Sequence, residues 1–187
     1  GGGFFDTPQS CGPAQLGVLG APRKPFQDSP TPAGNPAAAI ALLRLHALTD
    51  EGRYHDKAEE TLELIASVAG QYGIFAGTYA LAGVALSEPH SQIVIVGGDE
   101  LADRLYAAAV KNFSPNRAVL KFAGGQLVEN NLPPALTQTL ANLTAIRSNQ
   151  SLALVCTGQA CQPPISDSDE LLAALEPAKN TWAGAKK

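Results

Sequence analysis

The first loop of the sequence carries the residues whose types could do chemistry. Asp6, Arg23, Lys24 and Asp28 are ionisable groups within an otherwise apolar segment rich in glycine and proline. Carboxylates and a guanidinium group at fixed positions can bind a polar ligand through charge-assisted hydrogen bonds. We therefore take these four side chains as the first candidates for a functional site.

Three aromatic residues, Phe4, Phe5 and Phe26, accompany the charged groups of this loop. Proteins hold sugars and other polyols by stacking them on aromatic faces and hydrogen-bonding their hydroxyl groups at the rim. The loop therefore predicts a polyol-binding site. The alternative is an ordered loop whose charges pair with one another or with other parts of a longer chain. The sequence leaves both interpretations open.

Two of the three cysteines, Cys156 and Cys161, lie close together in "VCTGQACQPPI". A zinc site needs four ligands, and no nearby His or Cys completes the set. The C-x-x-C spacing of thioredoxin-type motifs is missing as well. The pair is predicted to be structural thiols at the end of a buried strand, with a facultative disulfide as the alternative. An odd, sparse cysteine count without a secretory signal favours a reducing, cytoplasmic location.

The remaining motifs carry weaker signals. His46, His55 and His90 have no metal-ligand spacing. The glycines of "IVIVGGDE" follow a strand-like run and could cradle a phosphate, but neither G-x-G-x-x-G nor G-K-[ST] is present. The acidic residues of "DELAD", which follow, would repel an anion. We expect neither a metal nor a cofactor.

The composition is that of a globular chain. Of 187 residues, 45% are hydrophobic and 16% are charged, with a net charge of −4. No basic stripe is available to neutralise phosphates, and no apolar run approaches the roughly 20 residues that span a bilayer. We therefore expect neither nucleic acid nor membrane as a partner. Because the sequence contains no methionine, we expect a fragment or a processed chain.

The hydrophobic pattern changes character near Pro89. Asn35-Pro36 is predicted to start a helix, with Asn as N-cap and Pro at the first helical position. Apolar residues at helical spacing then predict antiparallel helical hairpins. From residue 91, "QIVIVGG", "AVLKFA" and "LALVC" alternate with helical segments, which predicts a small three-stranded parallel sheet with helices.

The predicted fold is therefore mixed, with an all-α part followed by an α/β part. Asp167 and Glu170 in "SDSDELLAALEP" fit a capping box at the start of the last helix. The predicted divisions are a helical unit over 1–90, an α/β section over 91–178 and a tail over 179–187.

Several segments, taken in order, resemble one family. They are "GGGFFDT", "RKPFQDSPTPAGNPAAAIALLRLHALT", "QIVIVGG", "SPNRAVL" and "LALVCTGQACQPPISDSDELLAAL". In these segments the chain is similar to the C-terminal part of the YyaL / spermatogenesis-associated-protein-20-like family, and the resemblance covers nearly the whole sequence. Members of that family have a thioredoxin-like domain, then a six-hairpin α/α toroid similar to N-acylglucosamine 2-epimerases, and a small α/β section at the end.

The resemblance implies that residues 1–90 are the last hairpins of a partial α/α toroid. The glycine-aromatic-acid turn at the start of the chain would lead into a central cavity. Arg23, Lys24, Asp28 and Asn35 would match polar positions of the following loop. The sequence departs from the family at "DSPTP", where members usually carry an Asp-Gly-Ala-like stretch, and it does not contain the thioredoxin-like domain.

Two hypotheses for function follow. In the first, the parent protein binds or isomerises a carbohydrate-like substrate, as the 2-epimerases do. Asp6 and Asp28 would transfer protons, and Arg23 would stabilise a developing enediolate oxygen. The substrate-binding candidates are Phe4, Phe5, Lys24, Phe26 and Asn35. The loop lacks the histidines that transfer protons in those epimerases.

In the second hypothesis the toroid is a non-catalytic scaffold that presents the thioredoxin-like domain to partners. Either way, the rest of the parent chain is an expected partner. Helix faces left uncovered would also favour self-association.

Overall fold

The computed structural model describes residues 2–7, 21–123, 132–141, 150–158 and 160–176. The predicted tail over 179–187 lies outside these ranges. The chain divides into two compact units, Gly1–His90 and Ser91–Lys187.

The first unit is helical. Its elements are α1 (Gly34–Thr49), α2 (Gly52–Glu63), the short α3 (Ala66–Ala69), a 3₁₀ helix (Gly70–Ala76) and α4 (Gly77–Ser87). Asp50, in the left-handed conformation with φ 60°, ends α1 and turns the chain into α2. Helix α1 contacts both α2 and α4. Their shared core consists of Ala39, Leu43, Ala58, Leu62 and Ala82, and its alanines let the helix axes approach closely.

The start of α1 differs in detail from the sequence prediction. Ala33 occupies the N-cap position and provides no side-chain cap. Asn35 lies inside the helix and is buried, and its amide binds backbone groups of Phe4 and Pro25 instead of the helix end. The predicted N-cap role of Asn35 is therefore wrong, because its side chain forms hydrogen bonds with the distant residues Phe4 and Pro25.

The second unit combines a sheet with helices. Its elements are β1 (Ser91–Val96), α5 (Glu100–Lys111), β2 (Arg117–Phe122), α6 (Pro134–Ala141), β3 (Leu152–Thr157), β4 (Ala160–Cys161) and α7 (Ser168–Leu175). The strand order is β2-β1-β3-β4. In the register, Val94 lies opposite Leu120 in β2 and opposite Leu154 in β3.

The predicted three-stranded parallel sheet is wrong in strand number and direction. The sheet has four strands, and only β1 and β2 run parallel; β3 runs antiparallel to β1, and β4 runs antiparallel to β3. The alternation of strands and helices in the sequence correctly predicts that β1 and β2, joined by α5, run parallel. The same alternation does not determine the direction of β3, because antiparallel strands are common in otherwise parallel sheets.

The central strand β1 is buried on both faces, as its continuous apolar run predicts. Ile93 and Ile95 pack with Leu105 of α5 and Leu171 of α7. Val94 and Val96 point to the opposite face and pack with Leu136 of α6. Asp167 caps α7 as predicted, since its carboxylate accepts from the backbone N–H groups of residues 169 and 170. Within the described residues the Glu170 side chain forms no bond back to the Asp167 N–H, so only the first half of the predicted capping box forms.

Candidate functional site

The glycine turn at the start of the chain is held against helix α2. Gly2 is buried, and a Cβ atom at this position would lie 1.8 Å from the backbone oxygen of Glu60. Gly3 adopts φ +81°, a left-handed conformation that glycine tolerates best. The two glycines therefore allow the backbone to contact α2 directly and then turn sharply toward Phe4.

Asn35 fixes the position of Phe4. The Asn35 Oδ1 atom accepts from the Phe4 N–H at 2.6 Å, and Nδ2 donates to the Phe4 carbonyl at 3.0 Å. The same Nδ2 also donates to the Pro25 carbonyl at 2.9 Å. One buried amide thus joins the start of the chain to the segment that precedes α1. The sequence predicted Asn35 as a substrate contact, whereas the structure turns its amide toward the protein backbone.

Asp6 and Arg23 lie side by side. The Asp6 N–H donates to the Arg23 carbonyl at 2.9 Å, and the Arg23 N–H donates to Asp6 Oδ1 at 3.0 Å. Both side chains are exposed. Within the described residues the Arg23 guanidinium forms no ion pair with Asp6, because the Asp6 carboxylate is turned toward the backbone of its neighbour.

Two lysines lie over the aromatic rings of the turn. Lys24 Nζ donates to the Gly2 carbonyl and stands 4.8 Å from the centroid of the Phe5 ring. Lys57 Nζ stands 6.0 Å from the Phe4 ring, a contact that the sequence analysis missed because Lys57 lies on helix α2. Phe4 and Phe5 nevertheless remain 42% and 45% exposed. We call Phe4, Phe5, Asp6, Arg23 and Lys24 the first-loop surface.

Within the described residues, Asp28 forms its hydrogen bonds with two helix N-termini and not with the first-loop surface. Its Oδ1 atom accepts from the Ala33 N–H at 2.8 Å, at the start of α1, and its Oδ2 atom accepts from the Thr78 N–H at 2.7 Å, at the start of α4. These bonds, chiefly the one from Thr78, lower the pKa of Asp28 below its ordinary value of 3.8. The carboxylate thus serves two helix N-termini at once and is held in its ionised form.

Phe26 is also used within the fold. Its ring meets the Tyr72 ring edge-on, with centroids 4.9 Å apart and an interplanar angle of 85°. This contact joins the first loop to the 3₁₀ helix. Within the described residues no hydrogen bond or ion pair links Asp28 to Asp6 or Arg23. The structure therefore groups Asp6 and Arg23 with Phe4, Phe5 and Lys24, and it assigns Asp28 and Asn35 to holding the loop.

The glycines that follow β1, Gly97 and Gly98, are a candidate phosphate loop in the sequence, and Ser151 packs directly against Gly97. Gly97 has φ +128°, and a Cβ atom there would lie 2.0 Å from Ser151 Oγ. Ser151 Oγ donates to Asp99 Oδ1 at 2.6 Å, and the same oxygen accepts from the Ala102 N–H, which caps α5. The Ser151 hydroxyl is the main cause that lowers the pKa of Asp99. A carboxylate and a hydroxyl thus occupy the place where a phosphate would bind.

A disulfide bond joins Cys156 and Cys161, which lie opposite each other in strands β3 and β4. Of the two states that the sequence left open, the structure thus holds the oxidised one. Cys156 is fully buried, and Cys161 is partly buried.

The three histidines form no metal-ligand group with other residues in the described part of the chain. The His46 and His55 rings lie 5.4 Å apart between centroids, and among the described residues no group of three or more His, Cys, Asp or Glu could hold a metal ion. His90 Nδ1 is buried and finds no hydrogen-bond partner in the same part of the chain. Burial lowers the pKa of His90 below 6.5, and the positive charge of Arg44 lowers it further.

No single helix in the described ranges is long and apolar enough to cross a bilayer. Within the same ranges one bent pair, Gly52–Glu63 and Ala66–Ser87 with a bend of 45°, reaches the length and composition of a broken span.

Comparison with known proteins gives a distant but extended similarity. The chain is 30% identical to human spermatogenesis-associated protein 20 over 182 residues, which is 95% of this chain and 22% of that protein. It is 28% identical to the rat protein of the same name over 176 residues, which is 91% of the chain and 21% of the rat protein. No protein-family model matches the chain, and no solved structure matches it. The chain thus spans about a fifth of the length of the curated relatives it matches, and it is similar to spermatogenesis-associated protein 20 along nearly all of its own length.

Proposed function

We propose that this chain is the C-terminal part of a longer protein related to spermatogenesis-associated protein 20, and that its first-loop surface binds a carbohydrate-like ligand. In this proposal the helices of the first unit are the last hairpins of an α/α toroid, and the first-loop surface faces the toroid's cavity. The paired packing of α1 with α2 and α4 supports a hairpin arrangement. The similarity over nearly the whole chain supports the relationship.

The observation that carries the ligand proposal is the exposure of Phe4 and Phe5 on a fixed backbone. Gly2, Asn35 and Lys24 hold that backbone by contact and hydrogen bonds. Exposed aromatic rings normally cost solvation free energy, and a rigid pair beside charged groups is suited to stacking a sugar ring. Asp6 and Arg23 lie at the rim, where their exposed polar atoms can bond hydroxyl groups.

The surface is better suited to binding than to proton transfer. Asp28 is ionised and accepts two backbone hydrogen bonds, so it is a poor proton donor near neutral pH. Asp6 remains the candidate base, and Arg23 remains the candidate stabiliser of an enediolate. Isomerisation of the 2-epimerase type would therefore require an acid from another part of the parent protein.

The test is a calorimetric and NMR titration of the chain, and of the parent protein, with a panel of mono- and disaccharides. We expect saturable binding that weakens about two- to tenfold in Phe5→Leu, since one lost stacking contact accounts for about 0.5–1.4 kcal/mol. Phe113→Leu is the matched control, because Phe113 is 81% exposed and lies in the other unit. An absence of binding across the panel, or equal binding by both variants, would contradict the proposal.

Proton transfer is tested separately on any sugar that binds. Exchange of the C2 proton in deuterated water, lost in Asp6→Asn, would add isomerisation to binding. Binding without exchange would leave the surface as a recognition site.

A second candidate function is a non-catalytic scaffold, and exposed apolar side chains of the first unit favour it. Ile74 is 86% exposed and Leu81 is 50% exposed, and Phe75 and Val84 are exposed near them in the chain. If other helices of the parent cover this face, Leu81→Ser lowers the stability of the parent by about 1–2 kcal/mol and leaves the chain alone nearly unchanged. Equal effects in both would count against it, and concentration-dependent association of the chain would indicate self-association.

A further inference from the structure

The disulfide between Cys156 and Cys161 has two unequal ends. Cys156 belongs to the buried cluster of Val94, Val96 and Leu154 beneath the sheet. Cys161 is only partly buried, and its neighbours in sequence, Ala160 and Gln162, are exposed. Of the two cysteines, Cys161 therefore forms the more solvent-exposed end of the bond.

From this asymmetry we propose that the pair is a thiol–disulfide exchange site. Cys161 receives the external thiol, and Cys156 is the buried partner sulfur. The co-reactant is a dithiol, either a small molecule or a protein. The proposal is independent of carbohydrate binding, because the pair and the first-loop surface lie in different units.

The surrounding backbone allows the bond to open without unfolding the sheet. Strand β4 consists of only two residues, and Gly158, which follows β3, has φ +60°. Beyond it, the Gln162 N–H donates to the Val155 carbonyl at 2.9 Å. Ile165 and Ala153 exchange two backbone hydrogen bonds of 2.8 and 2.9 Å. These bonds connect the segment to β3 independently of the two sulfurs, so the strand pairing does not require the disulfide.

The exchange balances as a two-electron transfer. A thiolate of the dithiol attacks Sγ of Cys161, the Cys156–Cys161 bond breaks, and Cys156 leaves as a thiolate that takes up a proton. The second thiol of the co-reactant, once deprotonated, attacks the mixed disulfide and releases Cys161, which also takes up a proton. The co-reactant is oxidised to a disulfide, and the protein holds two thiols.

The burial of Cys156 sets the expected rates. A thiolate is disfavoured in apolar surroundings, so Cys156 is a slow leaving group and an unreactive free thiol. Cys161 is only partly buried, so a thiolate there is disfavoured less. The two cysteines should therefore differ sharply in reactivity once they are separated by mutation.

The test uses a Cys11→Ser background, which removes the third cysteine. Adding Cys156→Ser leaves Cys161, and adding Cys161→Ser leaves Cys156. We expect iodoacetamide to alkylate Cys161 at least about tenfold faster than Cys156 in the folded proteins. We also expect oxidised glutathione to form a mixed disulfide with Cys161 and not with Cys156.

A second measurement does not depend on those variants folding. The Cys11→Ser protein is treated with dithiothreitol while circular dichroism follows its fold. Samples are then quenched in denaturant with excess iodoacetamide, and mass spectrometry counts the alkylated thiols. We expect both thiols to appear while the spectrum stays native. Equal alkylation of the two cysteines, or reduction only at denaturant concentrations that unfold the protein, would overturn the proposal.

Discussion

The Oδ2 atom of Asp28 accepts a hydrogen bond from the Thr78 N–H at 2.7 Å, across 50 residues of chain. The other carboxylate oxygen accepts from Ala33. The first loop is therefore fastened to the start of α4 as well as to the start of α1. Asp28, the candidate proton-transfer residue of the sequence analysis, thus joins three parts of the helical unit.

Replacing Asp28 should loosen that junction. In Asp28→Asn the amide nitrogen can no longer accept, so one helix N–H loses its partner, and we expect the free energy of unfolding to fall by about 1–2 kcal/mol at pH 7. Glu59→Gln is the control, since Glu59 is an exposed acid on α2. Urea denaturation followed by circular dichroism measures both; equal stability of the two variants would contradict the role of Asp28.

The same carboxylate should contribute to the acid sensitivity of the protein. Its pKa is lowered on folding, so its stabilisation is present above 3.8 and is lost as the pH falls through the lower folded value. The difference in stability between wild type and Asp28→Asn should therefore be full at pH 6 and shrink below pH 4. A difference that stays constant over this range would show that the charge of Asp28 plays no part.

Asn35 offers a test of how the first turn is held. Asn35→Leu keeps the branched shape of the side chain but removes its three hydrogen bonds to Phe4 and Pro25, and we expect the free energy of unfolding to fall by about 2–3 kcal/mol with release of the turn. Chymotrypsin should then cleave after Phe4 or Phe5 under conditions in which the wild-type turn is resistant. Unchanged cleavage would mean that the Asn35 amide does not hold the turn.

The glycines provide a pair of substitutions with opposite expected signs. Gly2→Ala places a methyl group on the Glu60 carbonyl, so it should detach the turn and lower stability. Gly83→Ala, inside α4 with open space around the added carbon, should raise stability by about 0.5–1 kcal/mol. Thermal denaturation of the two variants checks both signs, and destabilisation by Gly83→Ala would reveal a hidden contact on that face of α4.

The contact between Gly97 and Ser151 can be tested with a second substitution that compensates for the first. Gly97→Ala should destabilise the α/β unit, because the new methyl group meets Ser151 and the backbone has φ +128°. Adding Ser151→Gly removes the collision and should restore part of the loss, while the backbone strain remains. A double-mutant cycle on denaturation midpoints measures the coupling. Simple additivity of the two changes would argue against the contact.

His90 should make stability depend on pH near neutrality. Its folded pKa lies below 6.5, so the unfolded chain takes up a proton first as the pH falls. Stability is full above pH 6.5 and declines through the interval below it. His90→Gln should flatten this slope, and Arg44→Gln should reduce it, because Arg44 adds to the depression of the pKa. An unchanged slope in His90→Gln would assign it to other groups.

Local sequence signals predicted the features whose partners are near in the chain. Asp167 caps α7 as predicted, because its carboxylate needs only the two amides that follow it. The buried run of β1 and the hairpin of α1 and α2 could be predicted for the same reason, because hydrophobic periodicity is a local property of the sequence.

Features that depend on distant partners were not predictable. Asn35 has the type of an N-cap residue, yet its amide is taken by Phe4, 31 residues away. Nothing near Asp28 in the sequence reveals Thr78 as its hydrogen-bond partner. The direction of β3 depends on which edge of β1 it reaches, and no local pattern encodes that choice.

The mixed sheet has a consequence for the order in which the protein is made. Strand β1 leaves the ribosome before either of its neighbours, and Val94 must wait for Leu154 before its second edge is paired. At the usual rate of about 5–20 residues per second this delay lasts on the order of seconds. Throughout it, the apolar run from Ile93 to Val96 has an open edge able to join a strand of another nascent chain. A chaperone that covers this open edge would prevent such pairing between nascent chains.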